Sequence, residues 1–271
     1  MYKEKFRLDG KVAIVTGGGR GLGKQMALAL AKHGASVVVA ARTQGQIDDV
    51  AKEIKHGGSK ALAVPTDITD RNACIALIDA AVKEFGRLDV MMNNAGIGDR
   101  RPGPQEFLEY PFENWLYTFD VNLNGTYHCT QAAGKVMVQQ GQGGSIINTS
   151  SGTALRGNRG NGAYGTAKAA VIALTKTTAI NLAEHNIRAN AIVPGFVSQS
   201  PPRNQEEADS RLARGRYMPV RRLGEAWELG ALAVYLASDA SSYVTGQEFI
   251  IDGGGLAGGV ATTGFAPSVA I

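Results

Sequence analysis

The stretch KVAIVTGGGRGLGKQMALALAKHG, Lys11 to Gly34, passes from an apolar, β-branched run through a cluster of glycines into a segment with helical periodicity. Five of the eight residues from Thr16 to Gly23 are glycine, more than a tight turn needs for steric reasons. Where a strand feeds a helix through such a turn, the first backbone N–H groups of the helix face outward as an anion site. Glycine serves that site twice, by allowing positive φ and by letting a phosphate approach the backbone with no Cβ in the way. Arg20 adds a positive charge among those glycines.

Outward from this unit the same alternation repeats. Strands are expected at VAIVT (12–16), SVVVAAR (36–42), KALAVPT (60–66), LDVMMNN (88–94), GSIINTS (144–150), RANAIVP (188–194) and EFIID (248–252). All but the last are nearly continuous apolar runs, as in parallel strands buried on both faces. Helices are expected near 21–33, 45–57, 70–85, 113–139, 162–185 and 225–238. The pattern predicts an α/β fold, a Rossmann-type doubly wound parallel sheet of about seven strands with helices on both faces, in a single domain. Two stretches break the rhythm: a polar, arginine-rich loop from Ser198 to Arg222, and an uncharged tail from Leu256 to Ile271.

Composition bounds the function. A chain of 271 residues, 44% hydrophobic and 19% charged, is sized for one soluble domain with an ample core. The charged N-terminus MYKEKFRLDG has no signal-peptide run, and no stretch is apolar for long enough to span a bilayer, so a cytoplasmic location without membrane partners is expected. Cys74 and Cys129 show no CxxC spacing and the four histidines are scattered, which favours buried free thiols and no metal site. The net charge of +4 comes from dispersed Lys and Arg, a pattern that fits anionic small ligands and gives no reason to expect nucleic acid.

Two nucleotide motifs compete at the glycine cluster. Gly18, Gly23 and Lys24 keep step with the NTP-binding loop, but Gln25 stands where that loop needs Ser or Thr for magnesium. Strict GxGxxG also fails, whereas TGxxxGxG fits Thr16, Gly17, Gly21 and Gly23. Downstream stand TDITD (66–70), NNAG (93–96), VNLNG (121–125), TSS (149–151), YGTAK (164–168) and PG (194–195) followed by Val197. With these motifs the chain resembles the short-chain dehydrogenase/reductase family, from Gly10 to Gly254.

The resemblance implies a cofactor site made by Gly17, Arg20, Gly21, Leu22 and Gly23, by Asp67 and Ile68 at the adenine, and by Asn94, Ala95 and Gly96. It adds Tyr164 and Lys168, together with Pro194, Gly195 and Val197 at the nicotinamide amide. Asn122, Ser151, Tyr164 and Lys168 are the implied catalytic residues, with Asn122 holding a water that links Lys168 to solvent. Residues 1–255 are then the dinucleotide-binding and catalytic domain, with 198–222 as substrate loop and 256–271 as tail. The family commonly forms homotetramers through the helices carrying Asn122 and Tyr164 and through the last strand.

The chemistry demands these residue types on its own account. Reducing a ketone by hydride transfer makes an alkoxide that must be protonated as it forms. Tyrosine can do this, yet with a pKa near 10 it is a poor base for the reverse reaction unless a cation favours the phenolate. Tyr164 and Lys168 lie four apart in a helical pattern and so share a face. Ser151 supplies a hydrogen bond to the substrate oxygen. Its neighbour Ser150 competes for that role, and the distance in sequence to Tyr164 favours Ser151.

Cofactors with a free ribose 2′-hydroxyl are usually read by an acid at the end of the second strand, about 20 residues past the glycines. Here Ala41 and then Arg42 stand there. With Arg20, this predicts NADP(H) in preference to NAD(H), and an NADP(H)-dependent oxidoreductase acting on a ketone or secondary alcohol. The alternatives are an NAD(H)-dependent dehydrogenase of the same family or a catalytically silent nucleotide-sensing relative. A sugar-nucleotide epimerase or dehydratase would show TGxxGxxG and a separate C-terminal substrate region, and neither is present. In PGFVSQS, Gln199 replaces the threonine usual in the family, with Ser198 and Ser200 as candidate substitutes. Arg156 and Arg159 between Ser151 and Tyr164, and the arginines of 203–222, raise the expectation of an anionic group on the substrate.

Overall fold

The computed structural model describes residues 2–98, 102–157, 160 and 162–258. Arg159 and residues 259–271 lie outside them. The strands are β1 (Val12–Thr16), β2 (Ser36–Ala41), β3 (Ala61–Pro65), β4 (Val90–Asn93), β5 (Gly144–Thr149), β6 (Ile187–Pro194), the short β7 (Val197–Ser198) and β8 (Gly224–Glu225), and β9 (Glu248–Ile251). The helices are α1 (Gly21–Lys32), α2 (Gln44–His56), α3 (Arg71–Phe85), α4 (Phe112–Phe119), α5 (Gly125–Gln140), α6 (Ala163–Leu182), α7 (Gln205–Gly215), α8 (Glu228–Ala237) and the single turn α9 (Gly255–Gly258).

Seven strands form one sheet in the order β3-β2-β1-β4-β5-β6-β9, parallel throughout. Its core occupies both faces. In β1 successive side chains point to opposite sides, so Ala13 and Val15 pack with Met26 and Leu30 of α1, while Ile14 packs with Leu77 and Ile78 of α3. Each fully buried Val, Ile, Leu or Met of this kind contributes roughly 1.5–3 kcal/mol. That two-sided burial is why these strands read as unbroken apolar runs. The edge strand β9 begins with Glu248 and leaves Ile250 49% exposed, in keeping with its more polar sequence.

Two expectations need correction. The single helix expected at 113–139 is interrupted: α4 and α5 are joined by a π-helical turn, Asp120–Asn124. Continuous helical propensity conceals such a turn, which adds one residue without changing the apolar pattern. The stretch expected as a loop from Ser198 to Arg222 contains α7, whose side chains are largely solvated and which buries only Gly215. It begins at Asn204, whose side chain accepts a hydrogen bond from Glu207 N at 2.9 Å. Of the tail, only residues up to 258 are described, and they form the turn α9.

Chain order in the sheet reverses between β1 and β4. The connections leaving these two strands diverge to opposite sides, and in an open α/β sheet the resulting crevice at the strand C-termini is where ligands bind. The glycine cluster leaves β1 there, and NNAG leaves β4.

Candidate active site

A cleft of about 650 Å³ opens at this switch point. One wall is the turn from β1 into α1. Gly17 and Gly21 hold positive φ, +64° and +56°, and a Cβ on Gly23 would lie 2.2 Å from the Gly17 carbonyl oxygen. Arg20 caps α1 in an extended conformation and, with Gly17 and Leu22, lines the cleft.

The turn is braced from β4. Thr16 Oγ1 accepts from Asn94 N at 3.1 Å and Ala95 N at 3.2 Å, and Asn94 Nδ2 donates to Thr16 O at 3.1 Å. Asn94 thus ties together the two loops that flank the crevice. Asp67 and Ile68, just beyond β3, line the same end. Asp67 Oδ1 accepts from Thr69 N and Thr69 Oγ1 at 3.0 and 2.9 Å, which fixes this corner before Asp70 caps α3.

At the end of β2, Ala41 and Arg42 line the cleft. Arg42 Nη1 donates to Tyr117 Oη at 3.4 Å, which aims the guanidinium along the cleft wall. Thr43 and Gln46 complete this corner; neither was singled out by the sequence, since polar residues entering a helix look like any solvated first turn.

The other wall carries Ser151, Tyr164 and Lys168, all lining the cleft. Lys168 is 3% exposed, its Nζ donates to Thr149 O at 2.9 Å, and it lies 5.8 Å from the centre of the Tyr164 ring. Burial pulls its pKa down to about 8. Ser150 and Ser151 both line the cleft but differ in their contacts: Ser150 is buried and donates to Lys168 O at 2.8 Å, whereas Ser151 is partly exposed and its Oγ accepts from Thr153 N at 3.3 Å and Thr153 Oγ1 at 3.0 Å.

Asn122 is fully buried in the π-helical turn. Its Oδ1 accepts from Ile97 N at 3.2 Å, and its Nδ2 donates to Ile97 O and Thr118 O, both at 3.0 Å. The side chain therefore pins the loop after β4. A Cβ on Gly96 would approach Asn122 Oδ1 to 2.7 Å and Lys168 Nζ to 3.2 Å, so the glycine lets this loop pass close to the lysine.

Pro194, Gly195 and Val197 close the cleft beyond β6. Gln199 lines it as well, with Oε1 set 2.9 Å from where a Gly21 Cβ would be. Ser198 and Ser200 line a neighbouring groove instead, so of the three it is Gln199 that faces the cleft. Much of the loop charge is neutralised internally: Arg203 and Arg211 pair with Glu207, and Arg222 with Glu228. Arg156 lines a small space beyond Ser151 together with Phe196, Met218 and Leu256.

Comparison with known proteins shows the family. The family described as enoyl-(acyl carrier protein) reductase matches residues 17–255. The chain is 38% identical to an L-rhamnose 1-dehydrogenase (NAD(P)(+)) of Sphingomonas sp., over 91% of this chain and 96% of that one. It is 37% identical to the 3-oxoacyl-(acyl-carrier-protein) reductase FabG of Thermotoga maritima, over 92% and 99%. A crystal structure of a short-chain type dehydrogenase/reductase from Mycobacterium marinum superposes with a TM-score of 0.86 at 39% identity, covering 94% of this chain and 98% of that one.

The fold and the cleft are those of an NAD(P)-dependent oxidoreductase acting on CH–OH and C=O groups. The chain belongs to the short-chain dehydrogenase/reductase family. The residues present fit a nicotinamide dinucleotide on structural grounds: added Cβ atoms would fill the turn at Gly17 and Gly23, and the buried Thr149 Oγ1, on the cleft wall, has no partner among the described residues. No described helix is long and apolar enough to cross a membrane.

Proposed function

We propose that the protein is an NADP(H)-dependent oxidoreductase that interconverts a ketone and a secondary alcohol, with Tyr164 as general acid/base. The supporting observation is the buried Lys168 ammonium beside the Tyr164 ring on the cleft wall that also carries Ser151. When bound, the nicotinamide supplies or takes up the hydride. Tyr164 gives its phenolic proton to the carbonyl oxygen in reduction and removes it from the alcohol in oxidation. Lys168 favours the phenolate electrostatically. Ser151 Oγ accepts two hydrogen bonds from Thr153, which leaves its own O–H to donate to the substrate oxygen. Asn122 holds the Ile97 loop against Gly96 and serves the lysine's surroundings through that contact.

Gly17, Gly21, Leu22 and Gly23 form the diphosphate cradle, Asn94, Ala95 and Gly96 its brace, Asp67 and Ile68 the adenine end, and Pro194, Gly195 and Val197 the nicotinamide end. Arg20 and Arg42 take the 2′-phosphate, each charge-assisted bond contributing roughly 1.5–3 kcal/mol. The bulk of the substrate extends from Ser151 toward Phe196, Met218 and Arg156, which favours a partly apolar molecule bearing a carboxylate or phosphate. A KM that rises with ionic strength for such a substrate supports this; a best substrate that is neutral, with a flat KM, overturns it.

The protein works as a cytoplasmic homotetramer, assembled through α5, α6 and β9. Residues 256–271 carry no charged side chain, and water would penalise their apolar groups, which supports a role for this tail at a subunit interface; residues 259–271 lie outside the described residues. Truncation after Gly255 is expected to lower Tm or change KM. A stable, fully active tetramer without those residues refutes that assignment. The whole reading is tested by screening ketones and alcohols while following NADPH and NADH absorbance.

A further inference from the structure

Two thiols with no part in hydride transfer meet directly behind the adenine end of the cleft. Cys74, in the first turn of α3, and Cys129, in the middle of α5, are both buried, with their sulfurs 3.4 Å apart. Cys74 Sγ donates to the Ile68 carbonyl oxygen at 3.4 Å, and His128 Nδ1 lies 3.2 Å from the same oxygen. The Ile68 side chain rests on α5 at Gly125, where a Cβ would come within 2.5 Å of its Cδ1. Ile68 itself lines the cleft. The backbone of this corner is therefore held from behind by one thiol and one imidazole.

We propose that Cys74 and Cys129 form a reversible disulfide when hydrogen peroxide oxidises them, and that this bond weakens dinucleotide binding by displacing Ile68. In the first step the Cys74 thiolate attacks one oxygen of the peroxide; the O–O bond breaks, hydroxide leaves, and Cys74 becomes a sulfenic acid. In the second the Cys129 sulfur attacks the sulfenic sulfur; the S–S bond forms, the S–O bond breaks, and water leaves with the Cys129 proton. Two thiols and one peroxide give one disulfide and two waters, with two electrons passing from sulfur to oxygen.

The direction follows from the surroundings. The hydrogen bond from Cys129 lowers the pKa of Cys74, while that same contact, and burial after it, raise that of Cys129. Cys74 is thus the first nucleophile and Cys129 the resolving thiol. Burial excludes bulky thiols, so the product is the internal bond. Closing 3.4 Å to a disulfide length of about 2.05 Å draws the first turn of α3 toward α5. It also removes the S–H that Cys74 offers to Ile68 O.

The coupling rests on the proposed placement of the adenine at Ile68, and the test separates the two. The full-length protein is treated with hydrogen peroxide, denatured in iodoacetamide and weighed by mass spectrometry, and NADPH and NADH affinities are titrated by fluorescence before and after. The chain has only two cysteines, so the expected product takes up no alkyl group. It binds dinucleotide about tenfold more weakly, and dithiothreitol restores it. Cys129→Ser and Cys74→Ala each abolish both effects. Retention of two alkylable thiols, or oxidation to sulfinic acid without a cross-link, overturns the proposal, and a cross-linked protein with unchanged affinity overturns the coupling. Ile68→Ala in reduced protein checks the placement alone: weakened dinucleotide binding supports it, and unchanged binding refutes it whatever the mass shows.

Discussion

Ser150 and Ser151 are neighbours on the cleft wall with different contacts: the Ser150 hydroxyl is buried against the Lys168 carbonyl, and the partly exposed Ser151 hydroxyl accepts two hydrogen bonds from Thr153. Their alanine variants should therefore separate stability from turnover. Ser150→Ala loses a buried hydrogen bond worth about 1 kcal/mol, so its Tm falls while kcat changes little. Ser151→Ala loses less Tm, because its contacts with Thr153 are partly exposed to solvent, and its kcat drops about 10²–10³-fold, as for removal of an oxyanion donor. Thermal melts and initial rates on the two variants decide the matter; a Ser151→Ala enzyme of parental kcat ends the assignment.

Arg42 and Arg20 border the cleft where Ala41 leaves β2 without a carboxylate. Arg42→Asp should invert cofactor preference, since a lost charge-assisted bond of roughly 1.5–3 kcal/mol is replaced by repulsion of the 2′-phosphate. Specificity constants for NADPH and NADH measure this. Equal constants in the parent protein would dismiss the NADP(H) reading.

Lys168 makes stability depend on alkaline pH in a defined direction. Its pKa falls from 10.5 to about 8 on folding, so between those values the unfolded chain binds the extra proton and stability rises with pH. Below pH 8 the buried ammonium costs about 3 kcal/mol. Lys168→Met should accordingly melt higher than the parent at pH 7, and the gap should shrink as pH climbs from 8 toward 10.5. A gap independent of pH would show that burial does not perturb this lysine. The Met variant should also lose turnover, because nothing then favours the Tyr164 phenolate.

The sheet was legible because its inner strands are buried by helices on both sides; of the two edge strands, Ala61–Pro65 is still apolar and Glu248–Ile251 is the more polar. The cleft was legible from its glycines, because close backbone packing such as that of Gly23 on Gly17 admits no other residue. The interruption at Asn122 was not, since a π-helical turn leaves helical propensity and the apolar stripe intact. Helix α7 was hidden by its solvated faces, which bury only Gly215 and pair Arg211 with Glu207 four residues away. Gln199 could be noticed as a departure in PGFVSQS, but only the fold brings its amide over Gly21.

The most direct test is the rate of NADPH oxidation with a responsive ketone, measured for the parent protein and for Tyr164→Phe. The substitution preserves the ring and its packing and removes the transferable proton. The account predicts turnover lowered about 10²–10⁴-fold, the range for loss of a general acid, with the dinucleotide Kd unchanged. A Tyr164→Phe enzyme that turns over at near the parental rate would contradict it.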